Sequence, residues 1–428
     1  MSAFIESLTA SAQPAKRKQQ SILSLMDMKL FSVSLLILCI GLVMIESASI
    51  TTTDRMMESP FYYLKRQLIA MFIGLTAAFI VTRVRLVYWE KSGMLLLGIA
   101  MFLLLLVLIP GIGKTVNGST RWIPLGMMNL QVSELAKLFL LIYTAGYLVR
   151  HGSEVRETFW GFVKPMVLVS IACMLLLLEP DFGATVVIMT TVISMMYLGG
   201  VRFTQFIALI TTFAVAAALI VISSPYRMQR LTAFVNPWAD PFDSGFQLTQ
   251  SLIAIGRGSW SGTGLGGSVQ KLFYLPEAHT DFLFAVYAEE TGFIGACLLI
   301  ILFTYLILRA FKNAREAERQ GHQFAAFTAY GIGIWLGLQA FINIGVNMGV
   351  LPTKGLTLPL MSYGGSSLIV NCIAIGILLR ISIENAQYGQ QALTRRRSSS
   401  AKKARNKSQN KLNNKSVINR LSRSGGVI

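Results

Sequence analysis

Asp281 stands in the run Leu275-Pro276-Glu277-Ala278-His279-Thr280-Asp281-Phe282, at the mouth of an apolar stretch that also holds Glu289 and Glu290. A carboxylate at membrane depth costs roughly 2.5–3.5 kcal/mol on insertion scales, so it marks a functional site by default. Three cations stand in polar segments of the same character: Arg121, Lys271 and Lys354. A fourth segment, Leu351 to Ser367, carries Ser362, Gly364, Gly365 and Ser366 just before an apolar run, where a helix N-terminus attracts anions. One aspartate can take a proton from a sugar hydroxyl, a contribution of about 10²–10⁴-fold. Cations and glycine turns suit a pyrophosphate leaving group on a long apolar anchor, such as a polyprenyl pyrophosphate. That set suffices for inverting glycosyl transfer, whereas glycoside hydrolysis ordinarily uses two carboxyl groups.

The elements that must position these residues are membrane helices. The chain has 428 residues, 54% of them hydrophobic and 14% charged, with a mean hydropathy of +0.58. Each bilayer crossing needs about 20 mainly apolar residues. Ten such runs are legible, at roughly 29–48, 67–84, 93–110, 132–149, 164–179, 183–200, 203–223, 281–309, 325–350 and 360–380. The expected fold is an all-α polytopic membrane protein. A segment 1–28 leads into a transmembrane domain over 29–383, and a basic tail follows over 384–428. Lys and Arg concentrate on the side of both termini, which the positive-inside rule makes cytoplasmic. The 224–280 connection and Asp281 then lie on the outer face. Within that connection, Gly245 to Gly256 reads as an amphipathic helix in the membrane interface.

Other positions have structural expectations. Glu134 and Lys137 are three apart on one helix and should pair; an ion pair and a direct substrate role are both open there. Asp181, in Glu179-Pro180-Asp181-Phe182-Gly183, is expected to cap the sixth run. Glu289 should lie on Asp281's side of a helix, about 12 Å deeper, in a structural hydrogen bond or ion pair. Glu290 points about 100° away, toward another helix.

Several classes are excluded. Gly111 to Thr115 imitates the end of a phosphate loop, but Leu108 stands where its first glycine belongs. Gly262 to Gly267 fits a dinucleotide fingerprint by letter and lacks a βαβ frame. Cys39, Cys173, Cys297 and Cys372 lie inside apolar runs as small hydrophobes. The net charge of +18 arises mostly from residues 394–428 of the tail, which hold no acid and are read as disordered. Anionic lipid headgroups suit that tail better than nucleic acid, each cation contributing about 1 kcal/mol.

The stretch Asn236-Pro237-Trp238 through Gly292, with Gly267-Ser268-Val269-Gln270-Lys271, resembles the SEDS family (shape, elongation, division and sporulation). So does Leu351 to Ser367, and the resemblance extends over nearly all of residues 30–383. Glu277-Ala278-His279-Thr280-Asp281 and Lys354-Gly355-Leu356-Thr357 are similar to its division branch. The resemblance implies ten transmembrane helices and a peptidoglycan glycosyltransferase that polymerises lipid II, with an essential aspartate at Asp281. It also implies substrate-binding roles at Glu277, His279, Thr280 and Lys354, and polar roles at Arg121, Glu134 and Lys137. A septal class B penicillin-binding transpeptidase and other division-machinery membrane proteins are the implied partners, at the division septum of the cell inner membrane. A divalent cation, Mg2+ or Mn2+, is implied as a possible aid to activity, and no cluster identifies its ligands. At Asn129 the chain departs from relatives that often carry a basic residue. A lipid II flippase and a non-catalytic division scaffold are the alternatives. The outer-face gathering of polar segments, with no internal repeat, favours the enzyme.

Overall fold

The structure is a computed structural model that describes residues 22–56, 61–116, 119–126, 128–243, 245–272, 274–353 and 355–391, with residues 394 and 406. Ten apolar helices lie on the ten predicted runs. They are α1 (Met28–Met56), α2 (Tyr62–Arg83), α3 (Leu86–Leu108), α4 (Val132–Arg150), α5 (Phe159–Leu178), α6 (Phe182–Leu198), α7 (Phe203–Ile222), α8 (Leu283–Arg319), α9 (Gln323–Asn347) and α10 (Gly365–Gln391). Among the described residues nine are long and apolar enough to cross a membrane, and α6 is shorter, at 17 residues. At 1.5 Å per residue it reaches about 25 Å, a little under a hydrocarbon core of about 30 Å.

Burial sorts the helices into inner and outer positions. α4 and α10 bury 83% and 89% of their apolar windows, whereas α7 buries none. The reason is compositional. α4 carries Ser133, Glu134, Lys137 and Thr144, all buried, which lipid would reject and neighbouring helices can satisfy. α7 is apolar on all sides and can face lipid.

Helix starts follow local chemistry. The Asp27 carboxylate accepts from the backbone N–H groups of Lys29 and Leu30, both at 3.2 Å, and from Arg309 on α8. Asp181 caps α6 as expected, accepting from Ala184 N at 3.1 Å. At the other end, α10 continues beyond residue 383 to Gln391. Arg380 and Glu384, 2.8 Å apart, bind Thr82 O and Leu86 N there. Residues 384–391 of the predicted tail therefore belong to α10, and the rest of it lies outside the described residues, apart from positions 394 and 406.

Three features go beyond the sequence reading. Before α4 lies a small antiparallel sheet in the order β1 (Lys114–Val116), β2 (Ser119–Leu125), β3 (Met128–Gln131), an addition to an otherwise helical fold. The sequence marks it with Asn117-Gly118, a hairpin dipeptide, between β1 and β2. Secondly, the 224–280 connection is structured. It holds helices at Pro225–Val235 and Phe246–Gly258, the second covering the predicted amphipathic segment.

Thirdly, α8 is broken at Gly292, which adopts φ 70° and ψ −169°, a region open essentially to glycine alone. The backbone groups freed by the break are satisfied by the connection. Glu289 O and Glu290 O accept from Thr263 N and Gly264 N at 3.0 and 3.1 Å, and Phe293 N donates to Ser259 O at 2.9 Å. A Cβ at Gly292 would fall 2.3 Å from Gly262 N, and one at Gly262 would fall 2.1 Å from Glu290 O. Both positions therefore need glycine.

Candidate active site

Asp281 lies outside the helix expected to carry it. α8 begins at Leu283, so the eight-residue helical offset to Glu289 does not apply. What fixes Asp281 is α9. Its backbone carbonyl accepts from Asn343 Nδ2 at 2.9 Å and from Asn347 Nδ2 at 3.0 Å. Asn343 Nδ2 also donates to Leu356 O at 2.6 Å. One turn earlier, Gln339 Nε2 donates to Thr357 O at 3.0 Å. Two chain segments thus hang from one helix face. They meet at Gly355, where a Cβ would lie 2.9 Å from Asp281 Oδ2.

The neighbouring residues of the Asp281 turn are tied to the start of α10. Tyr363 N donates to His279 O at 3.0 Å, and the His279 ring lies 4.4 Å from Tyr63 and 5.5 Å from Tyr363. Burial lowers the His279 pKa from its ordinary value, with Glu277 opposing. Thr280 Oγ1 donates to Glu277 Oε2 at 2.7 Å, in an exposed position. Ser362 Oγ accepts from Leu358 N at 2.9 Å, and Gly364 N donates to Gln67 Oε1 at 3.4 Å. Gly365 is the first residue of α10. Ser366 Oγ donates to Asn129 O at 2.7 Å and accepts from Gln131 N at 3.0 Å, stitching β3 to α10. Asn129, where a cation was expected from relatives, serves here through its backbone.

The basic residues do not all gather at Asp281. Lys354 lies outside the described residues. Lys271 is buried, 3.0 Å from Glu290 Oε1, 3.1 Å from Ser47 Oγ on α1 and 2.8 Å from Gly266 O. Its ammonium therefore ties the connection to α1 and α8. Lys137 is likewise enclosed, 2.8 Å from Glu134 Oε1 and 2.9 Å from Gln339 Oε1, with Trp335 donating to the same amide oxygen. The predicted pair forms, and through Gln339 it backs the Thr357 segment. Glu289 accepts from Ser268 Oγ, from Val269 N at 3.0 Å and from Gln270 N at 3.4 Å, beside Arg257. Both α8 acids thus have the structural roles expected of them.

Arg121 is half-buried against the turn between α5 and α6. It donates to Glu179 O at 3.3 Å and lies 3.9 Å from Asp181 Oδ1. The Glu179 carboxyl is fully buried, and desolvation, then Asp181, push its pKa up to about 8 against the pull of Arg121. This turn supports the site through Gly183, whose Cβ position lies 3.0 Å from Leu356 Cγ. Among the described residues no group of three or more His, Cys, Asp or Glu could hold a metal ion. The sequence reading passed over Gln339, Asn343 and Asn347. Three amides at four-residue spacing in an apolar run are the signal that marks them.

The family model described as "Cell cycle protein", of the FtsW, RodA and SpoVE proteins, matches residues 27–387. The chain belongs to this family. It is 56% identical over 382 residues to "Probable peptidoglycan glycosyltransferase FtsW" of Thioalkalivibrio sulfidiphilus, covering 89% of this chain and 96% of that one. The protein of the same description from Legionella pneumophila is 54% identical over 363 residues, 85% and 92% of the two chains. Among solved structures, one described as "Structural coordination of polymerization and crosslinking by a peptidoglycan synthase complex" superposes with a TM-score of 0.71. It is 30% identical and covers 84% of this chain and 98% of that chain. The rod shape determining protein RodA of Thermus thermophilus superposes with a TM-score of 0.62 at 29% identity, covering 83% and 96%. The protein is a multi-pass membrane protein with the RodA/FtsW fold.

Proposed function

We propose that the protein is a peptidoglycan glycosyltransferase that polymerises lipid II, with Asp281 as general base. The observation that carries this reading is the placement of Asp281, its peptide held by two buried amides and its carboxylate facing Gly355. The carboxylate takes the proton from an acceptor sugar hydroxyl as that oxygen attacks the donor's anomeric carbon. A glycosidic C–O bond forms with inversion, and the anomeric bond to undecaprenyl pyrophosphate breaks, the leaving group keeping the electron pair. Glu277, His279 and Thr280 on the Asp281 turn, Lys354 beside Gly355 in sequence, and Gly364 and Gly365 at the start of α10 are the substrate-binding candidates. Ser362 and Ser366 act by fastening the segment that carries the glycines. A divalent cation, Mg2+ or Mn2+, would supply charge stabilisation to the pyrophosphate leaving group; among the described residues no group of three or more His, Cys, Asp or Glu marks its ligands.

The Lys and Arg distribution supports cytoplasmic termini, with Asp281 on the outer face where lipid II sugars are exposed after export. The family description, cell cycle protein, supports a septal location, and the solved neighbour described as coordinating polymerization and crosslinking supports a class B penicillin-binding transpeptidase as partner. The basic tail suits anionic lipid rather than nucleic acid. The test is lipid II polymerisation by the native protein and by Asp281→Asn, each with the transpeptidase and each shown to be folded. Glycan strands from the native protein alone are expected. Equal strands from both would remove Asp281 from the mechanism, and none from either would favour a flippase or scaffold.

A further inference from the structure

We propose that Asn343 and Asn347 are positioning residues for the reaction, a paired amide clamp that sets where the Asp281 carboxylate sits. The inference rests on the general-base reading above. Residues four apart share a helix face, and Asn343 and Asn347 are 2% and 0% exposed. One carbonyl oxygen has two lone pairs, and both of those on Asp281 are directed to these amides, at 2.9 and 3.0 Å.

The orientation of Asn343 follows from its neighbours. Its Nδ2 lies between Asp281 O and Leu356 O, the latter at 2.6 Å. A flipped amide would set an acceptor against two acceptors. A single side chain therefore spans the two walls of the site, because Leu356 follows Gly355, the residue that faces the carboxylate. Asn347 fixes the other flank. Its Oδ1 accepts from Ala285 N at 3.1 Å in the first turn of α8, and its own carbonyl accepts from Ser251 Oγ at 2.8 Å. Packing alone does not require amides here. A leucine would fill the space on this apolar helix and leave the carbonyls of Asp281 and Leu356 without these donors.

A misplacement of about 1 Å costs on the order of 10²-fold in rate. Each single variant, Asn343→Ala or Asn347→Ala, leaves one amide on the Asp281 carbonyl, and a loss of about tenfold in kcat is expected. The double variant should lose about 100-fold, with the KM for lipid II within about twofold of native. The experiment measures initial polymerisation rates against lipid II concentration for the full chain with its transpeptidase, per folded molecule, alongside thermal unfolding in detergent. Asn343→Leu and Asn347→Leu keep the volume and remove the donors, and they decide the matter should the alanine variants fail to fold. Native kcat per folded molecule in the single variants, or a loss carried wholly by KM, overturns the clamp. Asp281→Asn separates the two failures. If it polymerises, the general-base reading has failed; if it is inactive while the asparagine variants turn over normally, only the clamp has failed.

Discussion

Removing the Lys271 ammonium should unfold the protein more readily than any surface change, and removing its partner as well should reverse the damage. Glu290 is 2% exposed and accepts at Oε1 from Lys271 at 3.0 Å and from Ser47 at 2.6 Å, while its Oε2 is buried without a hydrogen-bond partner among the described residues. Lys271→Met leaves a buried carboxylate without its countercharge, a loss of about 3–5 kcal/mol. At about 1.36 kcal/mol per decade, that is roughly a 10²–10⁴-fold fall in the folded-to-unfolded ratio. Lys271→Met combined with Glu290→Leu removes both charges, and such replacements are often neutral or stabilising. The assay is reversible unfolding in mixed detergent micelles, followed by tryptophan fluorescence, for the native protein, the single and the double variant. Polymerisation by the double variant is expected within about tenfold of native, because the ammonium ties the connection to α1 and α8 rather than binding the substrate. A double variant as unstable as the single one would refute the pairing argument. A stable double variant that makes no strands would show that Lys271 meets the substrate after all.

Glu179 should make stability depend on pH. Its folded pKa of about 8 lies above the ordinary 4.5, so its favourable contribution is complete below pH 4.5 and is lost as pH rises through 8. Glu179→Gln should flatten the fall in the unfolding midpoint between pH 5 and 9; an unchanged slope would count against the burial argument. Gly355→Ala places a methyl 2.9 Å from Asp281 Oδ2. Its polymerisation should drop roughly tenfold with the unfolding midpoint held, and a native rate would show that the two segments part easily.

The ten apolar helices were legible because each rests on a run of consecutive residues that no other arrangement accommodates in lipid. The same holds for the cap at Asp181 and the Glu134–Lys137 pair, which depend on residues three apart. The break at Gly292 was hidden, because what stabilises it is the backbone of residues 259–264, distant in sequence from the helix. The contacts of Lys271 with Ser47 and Glu290 were hidden for the same reason, since those residues lie 224 and 19 positions away. Asn343 and Asn347 give no charge signal in an apolar run, and their partners are backbone carbonyls that no side-chain pattern encodes.

The interruption of α8 also bears on how the chain sits in the bilayer. Residues 283–291 form a helical piece of nine residues, roughly 13 Å long at 1.5 Å per residue. It is too short to cross and carries both acids. Only the stretch beginning at Phe293 is long enough to span a hydrocarbon core. The acidic piece depends instead on residues 259–271, which receive its carbonyls and carboxylates, so two buried charges of α8 are housed by protein rather than by the part of the helix that can cross.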